Sequence, residues 1–211
     1  MILTSHLQFV FLSDQHLFNK RWESIIAQRD QFDIVQVLTW NDYGESHYMA
    51  PIHGAQPNSE AWTDGMDHSG WLELNQYYAT AFKTGSFPAI ETDKIIMWSR
   101  PHATKATSPD PIPQPTNFEI FEDAVWAVVM ATEPSEVTLE TSDSSKKTFN
   151  VPAGVTKLAI PITPGGTMKG TVVRNGQTVV ELNPTEFTFE GSPKTYNYNA
   201  FVASASAAPP S

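Results

Sequence analysis

The second half of the chain is a series of short β-rich runs, and this feature restricts the fold most. Each run is rich in apolar and β-branched residues and is bounded by turn residues. Asn175-Gly176 is the sharpest turn signal, because this pair readily takes the positive φ angles of a type I′ hairpin. Seven short strands at this spacing predict an antiparallel β-sandwich. The predicted strands are 124–131, 136–141, 156–162, 167–174, 177–182, 186–189 and 196–203.

A proline-rich stretch precedes these runs. Prolines recur from Pro101 to Pro115 with Ser and Thr between them, which is typical of an extended connector between packed units. We place a domain boundary there. The predicted division is a first domain over 1–100, a linker over 101–116, a β-sandwich accessory domain over 117–203 and a tail over 204–211.

The first hundred residues have a different pattern. A helical face is predicted from about Asp14 to Arg29, and the apolar, β-branched run Phe32–Trp40 follows. Its density of apolar residues predicts a strand buried on both sides, as in a parallel α/β sheet. A polar loop comes directly after it, where α/β barrels carry their catalytic groups. A second helix is predicted from about Ser69 to Thr84, with Gly85 as its stop.

Composition excludes several classes of partner. The formal charge is −10 and no basic cluster interrupts the sequence, so nucleic acid is not expected to bind. No stretch of 18 apolar residues is present, so no membrane span is predicted. The absence of Cys removes disulfides and thiolate nucleophiles. The opening Met1 to Ser13 lacks the basic n-region of a signal peptide, so none is predicted in this chain.

Two carboxylates stand in the polar loop after the predicted strand. Asp42 and Glu45 are three residues apart, close enough to line one pocket. Hydrolysis of a glycosidic bond needs two carboxyl groups, one to protonate the leaving oxygen and one to assist water or attack the anomeric carbon. An ordinary pair of surface carboxylates that cap a turn would have the same spacing, and that alternative stays open here.

Aromatic and polar neighbours favour sugar binding at this loop. Trp40, Tyr43, His47 and Tyr48 offer flat apolar faces and hydrogen-bonding edges of the kind that a pyranose ring needs. A second polar and aromatic group about twenty residues later is placed to fold back over the loop, and it consists of Trp62, Asp64, Asp67, His68 and Trp71. The histidines and aspartates of both groups lack a compact metal-ligand spacing, so neither a metal site nor a cofactor is predicted.

An ordered series of motifs resembles glycoside hydrolase family 71, which contains the fungal α-1,3-glucanases, or mutanases. The first motif, ten residues long, is the most specific. The resemblance extends over about residues 17–130, and the β-rich remainder fits the sandwich that follows the barrel in that family. The motifs are Thr39-Trp40-Asn41-Asp42-Tyr43-Gly44-Glu45-Ser46-His47-Tyr48, Asp64-Gly65-Met66-Asp67-His68-Ser69-Gly70-Trp71-Leu72, Tyr77-Tyr78, Lys83-Thr84-Gly85 and Trp98-Ser99-Arg100-Pro101-His102.

The resemblance implies an α/β plus all-β fold: the C-terminal remnant of a (β/α)8 barrel over 1–100, followed by the antiparallel β-sandwich. It implies endo-type, inverting cleavage of α-1,3-glucan in the extracellular space or cell wall. Glu45 would act as general acid and Asp42 as general base, or the reverse. The substrate-binding residues would be Trp40, Asn41, Tyr43, His47, Tyr48, Asp67 and His68.

Only about 39 residues precede the first motif, whereas a complete barrel needs at least about 200 residues. We therefore expect the chain by itself to hydrolyse α-1,3-glucan weakly or not at all. The alternative function is a non-catalytic α-glucan-binding or cell-wall module in which the aromatic side chains bind polymer. The sequence does not predict an oligomeric state.

Overall fold

The computed structural model describes residues 13–208. The predicted absence of a signal peptide concerns residues that lie outside this range, apart from Ser13. The helices are α1 (Leu17–Ala27), α2 (Glu60–Thr63) and α3 (Ser69–Thr84). The strands are β1 (Asn41–Asp42), β2 (His47–Tyr48), β3 (Lys94–Ser99), β4 (Ala124–Ala131), β5 (Ser135–Ser142), β6 (Ser145–Val151), β7 (Gly154–Pro161), β8 (Lys169–Arg174), β9 (Gln177–Leu182) and β10 (Phe201–Ser206).

Two four-stranded antiparallel sheets pack face to face. The central sheet has the strand order β10-β3-β4-β7, and the outer sheet has the order β6-β5-β8-β9. Side chains alternate between the two faces of a strand, so β3 serves two cores. Ile95 and Met97 contact the core between the sheets, whereas Ile96 and Trp98 contact the core under α3. The predicted β-rich architecture is confirmed. Within residues 13–208 the paired strands are antiparallel and the sheets do not close into a barrel.

The helix α3 covers the central sheet as its sequence pattern predicts. It spans Ser69–Thr84, and Gly85 ends it with φ +80°, a left-handed conformation that suits glycine. At its first turn the helix lies close to the sheet. A Cβ atom on Gly70 would be 3.0 Å from a methyl group of Val202 and 3.1 Å from one of Ile96. The shorter α1 packs beside α3 within the range predicted for it.

The sandwich differs from the sequence prediction at four places. β3 and β6 were not predicted, and β6 escapes the apolar pattern because Lys146 and Lys147 lie at an exposed sheet edge. The predicted strand 186–189 is irregular, with Phe187 and Phe189 buried in the core. The predicted strand 196–203 is shifted, since β10 spans Phe201–Ser206 and includes residues assigned to the tail. Residues 204–206 form part of a regular strand because they pair with β3.

The predicted linker is packed against the sandwich. The main-chain N–H of Thr104 donates to Asp123 Oδ1 at 2.7 Å, and the main-chain N–H of Tyr196 donates to Asp110 Oδ2 at 2.9 Å. One sheet includes strands from both sides of the stretch, because β3 pairs with β4 and β10. Residues 101–116 therefore do not separate two sheets, and the division of the chain into domains stays a prediction.

An ion pair between the half-buried Arg174 and the buried Asp93 joins the two sheets at one end. Arg174 at the end of β8 donates to Asp93 just before β3, with Nη2 to Oδ1 at 2.6 Å and Nη1 to Oδ2 at 3.0 Å. The main-chain N–H of Thr132 donates to the same carboxylate at 2.8 Å. Burial opposes ionisation of Asp93, but the guanidinium and the Thr132 donors outweigh it and lower its pKa. The charged pair fastens the outer sheet to the central sheet.

Within residues 13–208, the segment Phe32–Trp40 is not buried on both faces as its sequence predicts. The segment is extended but pairs with no other strand in the described part of the chain, and Ile34 and Leu38 are 83% and 70% exposed. Val35 and Val37 point the other way and line a shallow cavity of about 160 Å³ against α1. Apolar density correctly indicated extended backbone, but burial on two faces requires neighbouring strands, which residues 13–208 do not supply.

Candidate active site

The two candidate carboxylates lie on a short hairpin formed by β1 and β2. Asn41 pairs with Tyr48 and Asp42 pairs with His47, and residues 43–46 form the turn. The turn closes through a hydrogen bond of 2.9 Å from the N–H of Ser46 to the carbonyl of Tyr43. We call residues 41–48 the carboxylate hairpin. Asp42 is half-buried at the end of β1, directly before the turn, and Glu45 is exposed in the turn.

Thr39, two residues before the hairpin, holds its two strands together. The Thr39 hydroxyl donates to the carbonyl of His47 at 2.6 Å and accepts the main-chain N–H of Asp42 at 2.9 Å. The carbonyl of Trp40 accepts the N–H of Ala50 at 3.0 Å. A single threonine therefore fixes the residues on either side of the turn, including the backbone that carries Asp42.

A continuous column of aromatic rings supports the hairpin from below. Tyr43 meets Tyr48 edge to face at 5.0 Å between ring centroids, and Tyr48 stacks on His68 at 3.8 Å with the planes 3° apart. Trp71 lies 4.6 Å beyond His68, and Trp98 of the central sheet lies 6.0 Å beyond Trp71. All five rings are buried. Buried aromatic pairs pack rigidly, so the hairpin has a firm base on the sandwich.

His68 contacts backbone with both ring nitrogens. Nδ1 lies 2.8 Å from the carbonyl oxygen of Tyr48, and Nε2 lies 2.9 Å from that of Ala200. Burial lowers the pKa of His68 to about 4, and these contacts offset the effect only in part. The ring is therefore neutral near pH 7 and donates its one N–H to one of these two oxygens.

The Tyr48 hydroxyl and the Trp62 ring make the remaining hydrogen bonds. Tyr48 donates to the carbonyl of Met66 and accepts from the amide of Asn199 at 2.9 Å. Burial raises the pKa of Tyr48 well above its usual value. Trp62 Nε1 donates to the carbonyl of Gly44 in the turn at 2.9 Å. The second polar and aromatic group thus folds back onto the hairpin, as its position in the sequence predicts.

The residues singled out from the sequence fall into two sets. Trp40, Asn41, Glu45 and His47 are exposed, and Trp40 presents 58% of its surface to solvent. His47 Nδ1 contacts the carbonyl of Glu45 within the turn.

The second set is buried or half-buried. Tyr43 and Tyr48 are buried rings of the hairpin itself, and His68 is buried beneath it. Asp67 is half-buried and accepts the N–H of Ser69, the first residue of α3, at 2.7 Å. The catalytic and substrate-binding roles of both sets remain predictions.

Two supporting residues were missed by the sequence analysis as functional residues. Trp62 was noted only as part of the second aromatic group, and Asn199 was not noted at all. Asn199 is separated from Tyr48 by 151 residues and belongs to no motif, so no local signal could identify it. Among residues 13–208 no group of three or more His, Asp or Glu side chains is arranged to hold a metal ion. No helix in the same range has the length and apolarity to cross a membrane.

Comparisons with known proteins identify the family. The pattern of glycosyl hydrolase family 71 matches residues 3–210. A glucan endo-1,3-alpha-glucosidase of Schizosaccharomyces pombe is 35% identical over 201 residues, which is 94% of this chain and 46% of that protein. A mutanase of Penicillium rubens is 30% identical over 195 residues, which is 90% of this chain and 43% of the mutanase.

An ascus wall endo-1,3-alpha-glucanase of Schizosaccharomyces pombe is 28% identical over 203 residues, with 46% of that protein covered. No solved structure matches the chain. The chain spans about half the length of these relatives. The family pattern itself covers nearly all of this chain, so the resemblance noted in the motifs is confirmed. The chain belongs to glycosyl hydrolase family 71.

Proposed function

We propose that the chain carries the catalytic carboxylates of a glycoside hydrolase that cleaves α-1,3-glucan internally and with inversion, outside the cell or in the cell wall. The carboxylate hairpin is the observation that carries this proposal. It presents Glu45 to solvent in the turn and holds the half-buried Asp42 directly before the turn. Buried aromatic rings and hydrogen bonds support the hairpin. Family membership and the names of the relatives support the substrate.

In the proposed reaction Glu45 protonates the glycosidic oxygen as the bond to the anomeric carbon breaks. Asp42 takes a proton from a water molecule, whose oxygen attacks the opposite face of that carbon. Inverting glycosidases separate the two carboxyl groups by about 6.5–9.5 Å, which leaves room for this water. The exposed Trp40, Asn41 and His47 beside the carboxylates provide a surface for the sugar rings, and Tyr43, Tyr48, Asp67 and His68 complete the proposed site.

We also propose that Phe32–Trp40 is a strand of a (β/α)8 barrel whose other strands come from sequence that the longer relatives possess. Its exposed apolar residues and its direct entry into the carboxylate hairpin support this role. Without those strands the carboxylates lie on an open surface. Because a poorly positioned substrate can reduce a rate by about 100-fold, we expect the isolated chain to act slowly.

The test is hydrolysis of α-1,3-glucan by the purified chain, followed by ¹H NMR of the first products. We expect slow release of sugars whose new reducing ends are initially β-anomers. Initial α-anomers would contradict inversion. A rate equal to that of a full-length relative would contradict the requirement for further barrel strands.

The exposure of Trp40 favours one alternative, a non-catalytic module that binds α-glucan. Retention on insoluble α-1,3-glucan without product would select that module, and loss of retention in Trp40→Ala would locate the binding surface. Neither product nor retention would contradict both functions.

A further inference from the structure

We infer that Asn199, just before β10, is a positioning residue for the carboxylate hairpin, so that the sandwich holds the catalytic loop in place. This inference rests on the proposed function of the hairpin. Asn199 is fully buried beneath it. The residue lies far from the hairpin in sequence, and its side chain reaches two segments that flank the carboxylates.

The hydrogen bonds of Asn199 fix the orientation of its amide. Nδ2 donates to the hydroxyl of Tyr48 at 2.9 Å and to the carbonyl of Trp62 at 2.8 Å. Oδ1 accepts the main-chain N–H of Ala200 at 2.8 Å. A carbonyl oxygen can only accept a hydrogen bond, so the contact with Trp62 requires the NH₂ group on that side. Both donated bonds point to the hairpin and its support.

These bonds reach the hairpin on both sides of Glu45. Tyr48 is part of β2, three residues after Glu45. Trp62 receives a bond from Asn199 at its carbonyl, and its ring Nε1 donates to the carbonyl of Gly44, the residue before Glu45. The buried amide of Asn199 is thus bonded directly to the side chain of Tyr48 and, through Trp62, is connected to the main chain of Gly44. These two residues stand on either side of Glu45, the proposed general acid.

The next residue adds a second connection. The carbonyl of Ala200 contacts Nε2 of His68, whose Nδ1 contacts the carbonyl of Tyr48 and whose ring stacks on Tyr48. Residues 199 and 200 therefore hold Tyr48 by its hydroxyl and, through His68, by its ring and main chain. The strand that follows them pairs with β3, so the hairpin is tied to the central sheet.

Packing alone does not explain why an amide side chain is buried at position 199. Burying an amide is unfavourable unless its polar atoms are hydrogen-bonded, and an apolar side chain would fill the same space without that requirement. Both N–H groups of Asn199 are used, and both are directed to the support of the hairpin. This arrangement is what a positioning role requires.

The test compares the chain with its Asn199→Asp variant, which keeps the shape of the side chain but replaces both donors with an acceptor. We expect amide hydrogen exchange of residues 41–48 to become about tenfold faster, the effect of losing about one net hydrogen bond, while exchange in β4 is unchanged. On a soluble α-1,3-linked glucose oligosaccharide, kcat should fall about tenfold or more, because the carboxylates that carry the reaction are displaced. KM should change less, since the exposed Trp40 of the proposed binding surface lies outside residues 41–48.

Asn19→Asp is the matched control. Asn19 is also fully buried, and its Nδ2 donates to a tyrosine hydroxyl, that of Tyr78, at 3.1 Å. This pair joins α1 to α3 and does not touch the hairpin. In this control, the exchange of residues 41–48 relative to β4 should be the same as in the unmodified chain. The ratio of kcat to KM should also be unchanged.

Two results would overturn the inference: unchanged exchange in residues 41–48, or acceleration that is equal in the hairpin and in β4. If Asn199→Asp does not fold, Trp62→Phe removes the bond to Gly44 and keeps a ring in place, and the same expectations apply. If the unmodified chain releases no sugar, the expected slow hydrolysis by the isolated chain is contradicted, and the exchange comparison still decides whether Asn199 positions the hairpin.

Discussion

Replacing His68 with glutamine should weaken the pH dependence of stability between pH 7 and pH 4. Burial lowers the pKa of this imidazole from 6.5 to about 4, against the opposing influence of two carbonyl contacts, of the Asn199 side chain and of Asp67. The unfolded chain therefore takes up a proton near pH 6.5, and the native state does so only near pH 4. Between these values protonation favours the unfolded state. The native state therefore loses stability as the pH is lowered from about 6.5 to about 4.

The size of this effect follows from the two pKa values. Each unit of difference corresponds to about 1.4 kcal/mol, so His68 alone should remove about 2 kcal/mol at pH 5 and about 3 kcal/mol at pH 4, relative to pH 7. The pKa values of His16 and His102 are also lowered by burial, and these residues contribute in the same direction. Both are retained in the variant, so their contributions cancel in the comparison.

Urea denaturation at several pH values measures this difference. His68→Gln is expected to be less stable than the unmodified chain at pH 7, because it loses a stacked, buried ring, but the gap should shrink by about 2 kcal/mol at pH 5. Tyr48→Phe is the control, since it alters the same contact and retains the imidazole, so its pH dependence should follow that of the unmodified chain. Parallel curves for His68→Gln and the unmodified chain would refute the reasoning.

Three further substitutions test the fold by thermal or urea denaturation. Arg174→Met should lower stability by about 2–3 kcal/mol, because it leaves the carboxylate of Asp93 buried without its ion pair. A loss below about 0.5 kcal/mol would contradict the joining role of the pair. Gly176→Ala should cost about 1 kcal/mol, because the residue has φ +76° and open space around it, so backbone strain is the only penalty; no loss would contradict the turn. Ile34→Lys should change stability by less than about 0.5 kcal/mol in this chain, since the side chain is 83% exposed, and a large loss would show that the segment is packed.

Local sequence signals predicted the elements whose conformation depends on nearby residues. The helical spacing of its apolar residues and the stop at Gly85 gave α3 its correct bounds, and Asn175-Gly176 located the turn between β8 and β9. The same reasoning overlooked β6, because an edge strand with Lys146 and Lys147 exposed does not need an apolar face. A sequence pattern predicts a helix or strand when one face of that element is buried and therefore has to be apolar.

Burial of Phe32–Trp40 could not be predicted, since it depends on strands that pair with it and not on its own composition. The hairpin that carries Asp42 and Glu45 was located by its motif, and the return of Trp62 and His68 onto it was anticipated from their position in the chain. Asn199 was inaccessible to such reasoning. Its contact with Tyr48 is created by the packing of the sandwich and leaves no periodic or local trace.

The most direct test of the central claim, that Asp42 and Glu45 are the catalytic pair, is the rate of reducing-sugar release from α-1,3-glucan by isosteric variants. Asp42→Asn and Glu45→Gln should each reduce the rate of the unmodified chain by about 100-fold or more, because each removes proton transfer and preserves shape. Glu186→Gln, an exposed carboxylate on the sandwich, should leave the rate unchanged. Equal rates for all three variants and the unmodified chain would contradict the account.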